Sequence, residues 1–197
     1  MTDCIIVDID GTLADTRHRL HHLAGTPKNW KGFYDAMGDD IPYQYVVDLV
    51  KLLDSKCYIA LVSGRPEDYR AQTEKWCIKH DVPFDGLFMR KKNDFRPDTI
   101  AKKEILEIMR GNDLVPLFAI DDRPEVVKMW RDNNVPCLQV DASPWYAPIK
   151  DNGNTLEWLA WMKSQHHEPM YDQVATEIQS LQDRVAELEI RLFGVKQ

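Results

Sequence analysis

Five short apolar runs recur along the chain, Cys4–Val7, Tyr58–Val62, Leu87–Met89, Leu117–Ile120 and Cys137–Val140, with helically spaced stretches between them. Those stretches fall near residues 43–55, 66–80, 98–110 and 124–133; Val46, Leu49, Val50 and Leu53 form one apolar stripe. Strands that alternate with helices make a parallel sheet covered on both faces. The expected fold is α/β, a three-layer sandwich about a central parallel sheet. At 197 residues the chain has room for one such domain, residues 1–165, and a small appendage. Ligands of such sheets bind beyond the carboxyl ends of the strands. Asp8, Ser63 and Asp121 each follow a predicted strand and should converge there.

Two segments lie outside this pattern. Residues 15–42 form an insertion after the first strand, rich in Arg, His, Trp and Tyr, and a structureless loop of that length would be unusual, so a small helical lid is expected. Residues 168–197 carry Val174, Ile178, Leu181, Val185, Leu188 and Leu192 at alternating spacings of 4 and 3. That is a heptad seam with branched residues at a and Leu at d, which favours parallel two-stranded pairing. A homo-oligomer joined through residues 171–193 is the expectation, the alternative being a terminal helix packed on its own domain, a face that Ile190 and Phe193 would broaden.

The formal net charge of −7 argues against a broad nucleic-acid-binding surface, which would be basic. The bases nevertheless cluster in "TRHRLHH" and "MRKKNDFR", and a local basic site suits a small anionic substrate or a strand end. No apolar run approaches the ~18 residues of a membrane span. The first run lacks a preceding basic segment and is too short for a signal peptide, so a cytoplasmic protein without membrane contact is expected. Cys4, Cys57, Cys77 and Cys137 form no C-x-x-C pair and read as free thiols.

"IIVDIDGTLAD", residues 5–15, ends a buried strand with two carboxylates one residue apart. An EF-hand calcium loop would need Gly at its sixth position and Glu at its twelfth, where Leu13 and Arg19 stand. A solvated acidic turn would account for the stretch alone, but three others accompany it. "LVSGRPED" brings Ser63, Gly64 and Arg65, a small hydroxyl and free N–H groups ahead of a helix, which suits an anion. "TIAKKEIL" places Lys102 and Lys103 in the opening turns of a helix, where the dipole disfavours a cation unless an anionic partner is near. "FAIDDRPEV" adds Asp121, Asp122 and Arg123.

In order and context these stretches resemble the haloacid-dehalogenase superfamily of phosphatases: D-x-D-G-T, then S-G-R, then Lys, then D-D, over roughly residues 3–145. "FAIDDRPEVVKMWRDNNVPCLQV", "VSGRPEDYR" and "MRKKNDFRPD" are similar to the phosphatase domains of phage polynucleotide kinases, which remove 3′-phosphates from nucleic-acid ends. The resemblance implies a Rossmann-like sheet, Mg²⁺ as cofactor, and a phosphoester that a divalent cation neutralises before attack. Asp8, the carbonyl of Asp10 and one of Asp121 or Asp122 would supply ligands, the resemblance favouring Asp122. Asp8 would be the nucleophile, forming an aspartyl-phosphate, and Asp10 the acid and then the base. Ser63, Thr12, Gly64, Arg65 and nearby amides would hold the phosphoryl oxygens with Lys102, favoured over Lys103 because "KKEI" aligns with the family's Lys-x-Glu-Ile. Asp at the second position, where transport ATPases carry Thr, implies a phosphatase.

Of Arg17, Arg19, Arg65, Arg90, Arg96 and Arg123, the resemblance favours Arg90 and Arg123 for substrate phosphates. In "NWKGFYDAM", Trp30, Phe33 and Tyr34 either stack a base or form the core of a lid helix. His18, His21 and His22 read as a solvated lid face or half a metal site. No G-x-x-x-x-G-K-[ST] loop is present, so no P-loop kinase activity is expected. The expected activity is release of the 3′-phosphate of nucleic-acid ends or nucleotides; a 5′-nucleotidase acting on free nucleotides and an inactive oligomeric scaffold are the alternatives.

Overall fold

The computed structural model describes residues 1–140. The heptad seam, the pairing through residues 171–193 and the domain end at 165 lie outside the described residues. Strand β1 (Thr2–Val7) is followed by a two-residue strand β2 (Ala14–Asp15), helix α1 (Trp30–Asp35) and a two-residue strand β3 (Ile41–Pro42). Then come α2 (Gln44–Asp54), β4 (Tyr58–Pro66), α3 (Arg70–Lys79) and β5 (Gly86–Arg90). The described chain closes with α4 (Asp98–Gly111), β6 (Leu114–Asp121), α5 (Pro124–Asp132) and β7 (Cys137–Gln139).

A five-stranded parallel sheet in the order β5-β4-β1-β6-β7 forms the middle layer. Successive side chains of a strand point to opposite faces, and β1 shows how that builds three layers. Ile5 and Val7 pack with Val46, Val47 and Val50 of α2 and with Trp76 and Cys77 of α3. Cys4 and Ile6 pack on the other face with Ile105, Leu106 and Met109 of α4 and with Val126, Val127 and Trp130 of α5. Strand order reverses between β1 and β6, so the ends of these two strands form the switch point.

Two strands, β6 and β4, run furthest beyond the sequence expectation. β6 begins at Leu114, not Leu117, and continues through Pro116. A proline reads as a strand breaker because it cannot donate to the ladder; here the register between β1 and β6 slips between Cys4 and Ile5, opposite Pro116 and Phe118, and absorbs it. β4 runs on to Pro66 instead of ending at Val62, with a register slip between Ser63 and Pro66. Ser63, Gly64 and Arg65 therefore belong to a bulged strand end and not to a loop ahead of a helix.

The insertion is a lid closed at its base by the antiparallel pair β2–β3, with Asp15 opposite Ile41. Between them lie a 3₁₀ helix at Arg17–Leu23, α1, and a second 3₁₀ turn at Ala36–Asp39. All four cysteines are free, three of them buried and Cys57 half-buried. Among the described residues no helix is long and apolar enough to cross a membrane.

Candidate active site

The turn after β1 sends its two carboxylates in different directions. Thr12, Leu13 and Ala14 all donate their N–H groups to the carbonyl of Ile9, at 3.2, 2.9 and 2.8 Å, which winds the chain into a tight loop. Gly11 has φ +93, in the region that disfavours any side chain, and a Cβ there would lie 2.4 Å from the Asp122 carboxylate. Glycine thus permits both the turn and the approach of Asp122. Repulsion between Asp8 and Asp10 is relieved because each meets its own cations.

Asp8 is 4 % exposed and faces the end of β6. Asp8, Asp121 and Asp122 each offer a carboxylate oxygen within 4.8 Å of the others. Lys102 reaches in from the second turn of α4, its Nζ 2.6 Å from Asp8 and 2.7 Å from Asp121, whereas Lys103 is exposed. Burial, with Asp121 and Asp122 adding to it, holds the Asp8 carboxyl well above the usual range despite Lys102. Burial and the charge of Asp121 push Asp122 up to about 7. Burial alone would lower the Lys102 ammonium, but Asp8 and Asp121 overcome it and its pKa is raised.

The Asp121 carboxylate also accepts from Trp130 Nε1 at 3.1 Å and from the Arg123 amide at 3.2 Å. The Asp122 carboxylate accepts a long bond, 3.4 Å, from the Thr12 hydroxyl. Three carboxylates face one ammonium, and their oxygens are hard donors, so the residues fit a divalent oxygen-seeking cation such as Mg²⁺. Zinc gains no support from the lid histidines: His18 pairs with Asp40 at 2.8 Å and His21 lies against His22.

The sign of one pH effect follows. An acid whose folded pKa is raised contributes stability that is complete below its unfolded value, about 4, and lost as pH rises through the folded one. Without metal, Asp122 therefore makes the fold less stable as pH climbs from 4 to about 7. Asp122→Asn is expected to flatten that decline, measured as unfolding midpoints against pH in a chelator; an unchanged slope would refute the assignment. Asp10 acts in the opposite sense, its contribution being lost as pH falls towards its value of about 2.

Asp10 points to the lid side. Burial would raise its pKa, but the guanidinium groups of Arg65 and Arg19 overcome burial and lower it to about 2. Arg19 NH2 lies 2.5 Å from Asp10 Oδ1 and Arg65 NH2 2.6 Å from the same oxygen. Both arginines also grip Asp40, at 2.7 and 3.0 Å, and Arg19, Arg65 and the Asp40 side chain are wholly buried. Trp76 Nε1 of α3 fixes the Asp40 backbone carbonyl at 2.8 Å.

The strand end of β4 supplies the remaining expected groups. Ser63 is buried and its Oγ accepts the Arg65 amide at 3.2 Å. Arg90 donates to the Gly64 carbonyl at 2.9 Å, and both Arg90 and Arg123 pair with Asp98. A Cβ on Gly64 would lie 2.6 Å from the Asp98 carboxylate, so any side chain there would push Asp98 aside. Arg65, expected among the phosphate-binding groups, instead gives its guanidinium to Asp10, Asp40 and Thr73, and Thr12 gives its hydroxyl to Asp122. Arg96 pairs with Asp94 and Glu104, and Arg17 with Asp15, so both basic clusters are partly neutralised from within.

Asp40 and Asp98 were missed by sequence reasoning. Asp98 stands four residues before Lys102, one helical turn away on the same face, and that spacing was a usable signal. Nothing local marks Asp40 in "GDDIP".

Residues 2–145 match the family described as the polynucleotide kinase PNKP phosphatase domain. Over 140 residues the chain is 30% identical to a protein of Autographa californica nuclear polyhedrosis virus named as a bifunctional polynucleotide kinase/RNA ligase, covering 68% of this chain and 18% of that one. A chain in a solved Pnkp1/Rnl/Hen1 complex is 32% identical with a TM-score of 0.61, over 71% of this chain and 46% of that one. A second such structure, described as an RNA repair complex, gives 31% identity and 0.62, over 71% and 42%. The chain thus spans less than half the length of these relatives. A protein from Clostridium acetobutylicum, 13% identical with a TM-score of 0.56 over 84% of this chain and 100% of that one, shares the fold.

Proposed function

The chain belongs to the PNKP phosphatase-domain family and is a phosphatase of the haloacid-dehalogenase type, and from that premise we propose that it removes the 3′-phosphate from nucleic-acid ends or nucleotides. The carrying observation is Asp8, buried at the switch point against Asp121 and Asp122, with Asp10 two residues on and held by its own arginines. Likeness to a polynucleotide kinase/RNA ligase and to chains of RNA repair complexes supports the nucleic-acid end as substrate class.

Asp8, the Asp10 carbonyl and Asp122 would hold Mg²⁺, which when bound would neutralise the negative charge of the phosphate that otherwise repels a carboxylate. Asp122 is preferred to Asp121 because the oxygens of Asp121 already accept from Lys102, Trp130 and the Arg123 amide. Asp8 attacks phosphorus as the bond to the leaving 3′-oxygen breaks, giving an aspartyl-phosphate. Lys102, already on Asp8, moves its proton contacts to the phosphoryl oxygens, joined by Ser63 and the Gly64 amide. Asp10 is ionised in the free protein. It takes the proton that a phosphate monoanion brings, gives it to the leaving oxygen, and then receives one from the water that hydrolyses the intermediate. Arg90 and Arg123 exchange Asp98 for substrate oxygens.

Phosphate release is to be measured, with Mg²⁺ and with chelator, from a 3′-phosphorylated oligonucleotide, its 5′-phosphorylated counterpart, and free 3′- and 5′-nucleotides. The expected result is Mg²⁺-dependent release with preference for 3′-phosphates. Preference for free 5′-nucleotides would make it a 5′-nucleotidase, and no release from any would overturn the catalytic reading.

A further inference from the structure

Helix α1 packs its three aromatic rings together, Phe33 edge-on to Trp30 and Tyr34 with centroids 5.9 and 5.5 Å apart, but exposes them unequally. Phe33 is 7 % exposed and covers the Arg19 guanidinium, 4.1 Å from its ring centroid, so it belongs to the lid interior. Trp30, on the same short helix, is 47 % exposed. Its ring stacks with that of Tyr34, centroids 6.0 Å apart and planes at 24°, and Tyr34 in turn meets Tyr69 at 5.2 Å. Tyr69 ends the 3₁₀ turn that directly follows β4, the strand whose end carries Ser63 and Gly64. The Tyr69 hydroxyl donates to Asp35 at 3.0 Å and Gln72 to the Asp35 carbonyl at 3.0 Å, which fixes α1 beside that segment.

The three rings therefore make a row running from the strand end, where phosphate is to be held, outward over the lid. Tyr34 is the middle ring of the row, half-buried between Trp30 and Tyr69, and Asp10 and Asp98 add to the burial that raises the pKa of its hydroxyl. A tryptophan left half in water on a six-residue helix forgoes burial that its neighbour Phe33 obtains. At the outer end, Lys28 Nζ stands 5.7 Å from the Trp30 ring centroid, a cation where a following backbone phosphate would pass.

We infer that Trp30 and Tyr34 form a platform on which the base of the nucleotide bearing the scissile 3′-phosphate stacks, an inference that rests on the nucleic-acid reading above. A base lies one sugar away from its 3′-phosphate, and the row begins at Tyr69, in the turn that directly follows the strand end carrying Ser63 and Gly64. Stacking accepts any base, because every base has a π face, and it fits an enzyme that must act on ends irrespective of sequence.

The test compares a 3′-phosphorylated oligonucleotide with the same oligonucleotide whose terminal nucleotide is abasic. For the wild-type protein KM is expected to be about tenfold higher on the abasic end, the size of one base–aromatic stack. Trp30→Ala and Tyr34→Ala are each expected to bring the ratio of the two KM values close to one, while Tyr34→Phe keeps it. Should Tyr34→Ala fail to fold, Trp30→Ala, which alters an exposed ring, decides alone. A wild-type protein indifferent to the base, or variants that retain the wild-type ratio, would overturn the platform. If the wild-type protein releases phosphate from free nucleotides but from neither oligonucleotide, the polymer-end reading falls. The same comparison between a 3′-nucleotide and ribose 3-phosphate then decides the platform by itself.

Discussion

Asp8→Asn is expected to lower phosphate release by roughly 10⁴-fold or more, the scale seen when a covalent nucleophile is removed. Asparagine keeps the shape of the side chain but cannot form the acyl-phosphate. The fold should survive, because burial together with Asp121 and Asp122 already favours the neutral form of this carboxyl, which the amide resembles. The amide removes one of three crowded like charges, and its oxygen still accepts from Lys102. Thermal unfolding in chelator at pH 7 is therefore expected to show an unchanged or raised midpoint. An Asp8→Asn protein that kept a tenth of the wild-type rate would remove Asp8 as nucleophile; one that unfolded would refute the electrostatic account.

Asp40→Ala carries the second large effect, and it is one of stability first. Burial pushes the Asp40 carboxyl upward even with Arg19 and Arg65 against it, so the two guanidinium groups offset the cost of burying this carboxylate only in part. Taking away Asp40 alone is different, since two wholly buried guanidinium groups are left to share the single carboxylate of Asp10. Breaking a buried pair in this way costs about 3 kcal/mol, and for a chain of this size that lowers the midpoint by roughly 6–12 °C. Activity should fall as well, at least tenfold, because both arginines that aim Asp10 lose their second anchor and the proton donor drifts from the leaving oxygen. Calorimetry and single-turnover rates below the midpoint separate the two effects. An Asp40→Ala protein with wild-type stability would show that the cluster is not closed to water, and one with wild-type turnover that it does not aim Asp10.

What could be read from the chain alone were the features carried by local pattern. Alternating apolar runs and helical stripes imply the parallel sheet, since side-chain period and turn residues are local properties. The D-x-D-G-T, S-G-R, Lys and D-D stretches mark the groups that converge because strand ends of a parallel sheet must lie on one edge. Lys102 is buried where its neighbour Lys103 is exposed, a difference of about 100° around a helix.

Contacts between segments distant in sequence were illegible. Asp40 meets Arg19 and Arg65 across separations of 21 and 25 residues, and an aspartate in "GDDIP" carries no sign of the two cations it will face. Arg65 stands in a motif that suggests phosphate, yet the bulge of β4 turns it inward to Asp10 and Asp40. Periodicity could not assign Trp30, Phe33 and Tyr34 to core or surface in so short a helix; packing against Arg19 and Tyr69 did. Local pattern marks which strand ends meet and which acids and bases they bring. Which cation each carboxylate faces emerges only from packing, because electrostatic partnership depends on distances through space that local pattern does not encode.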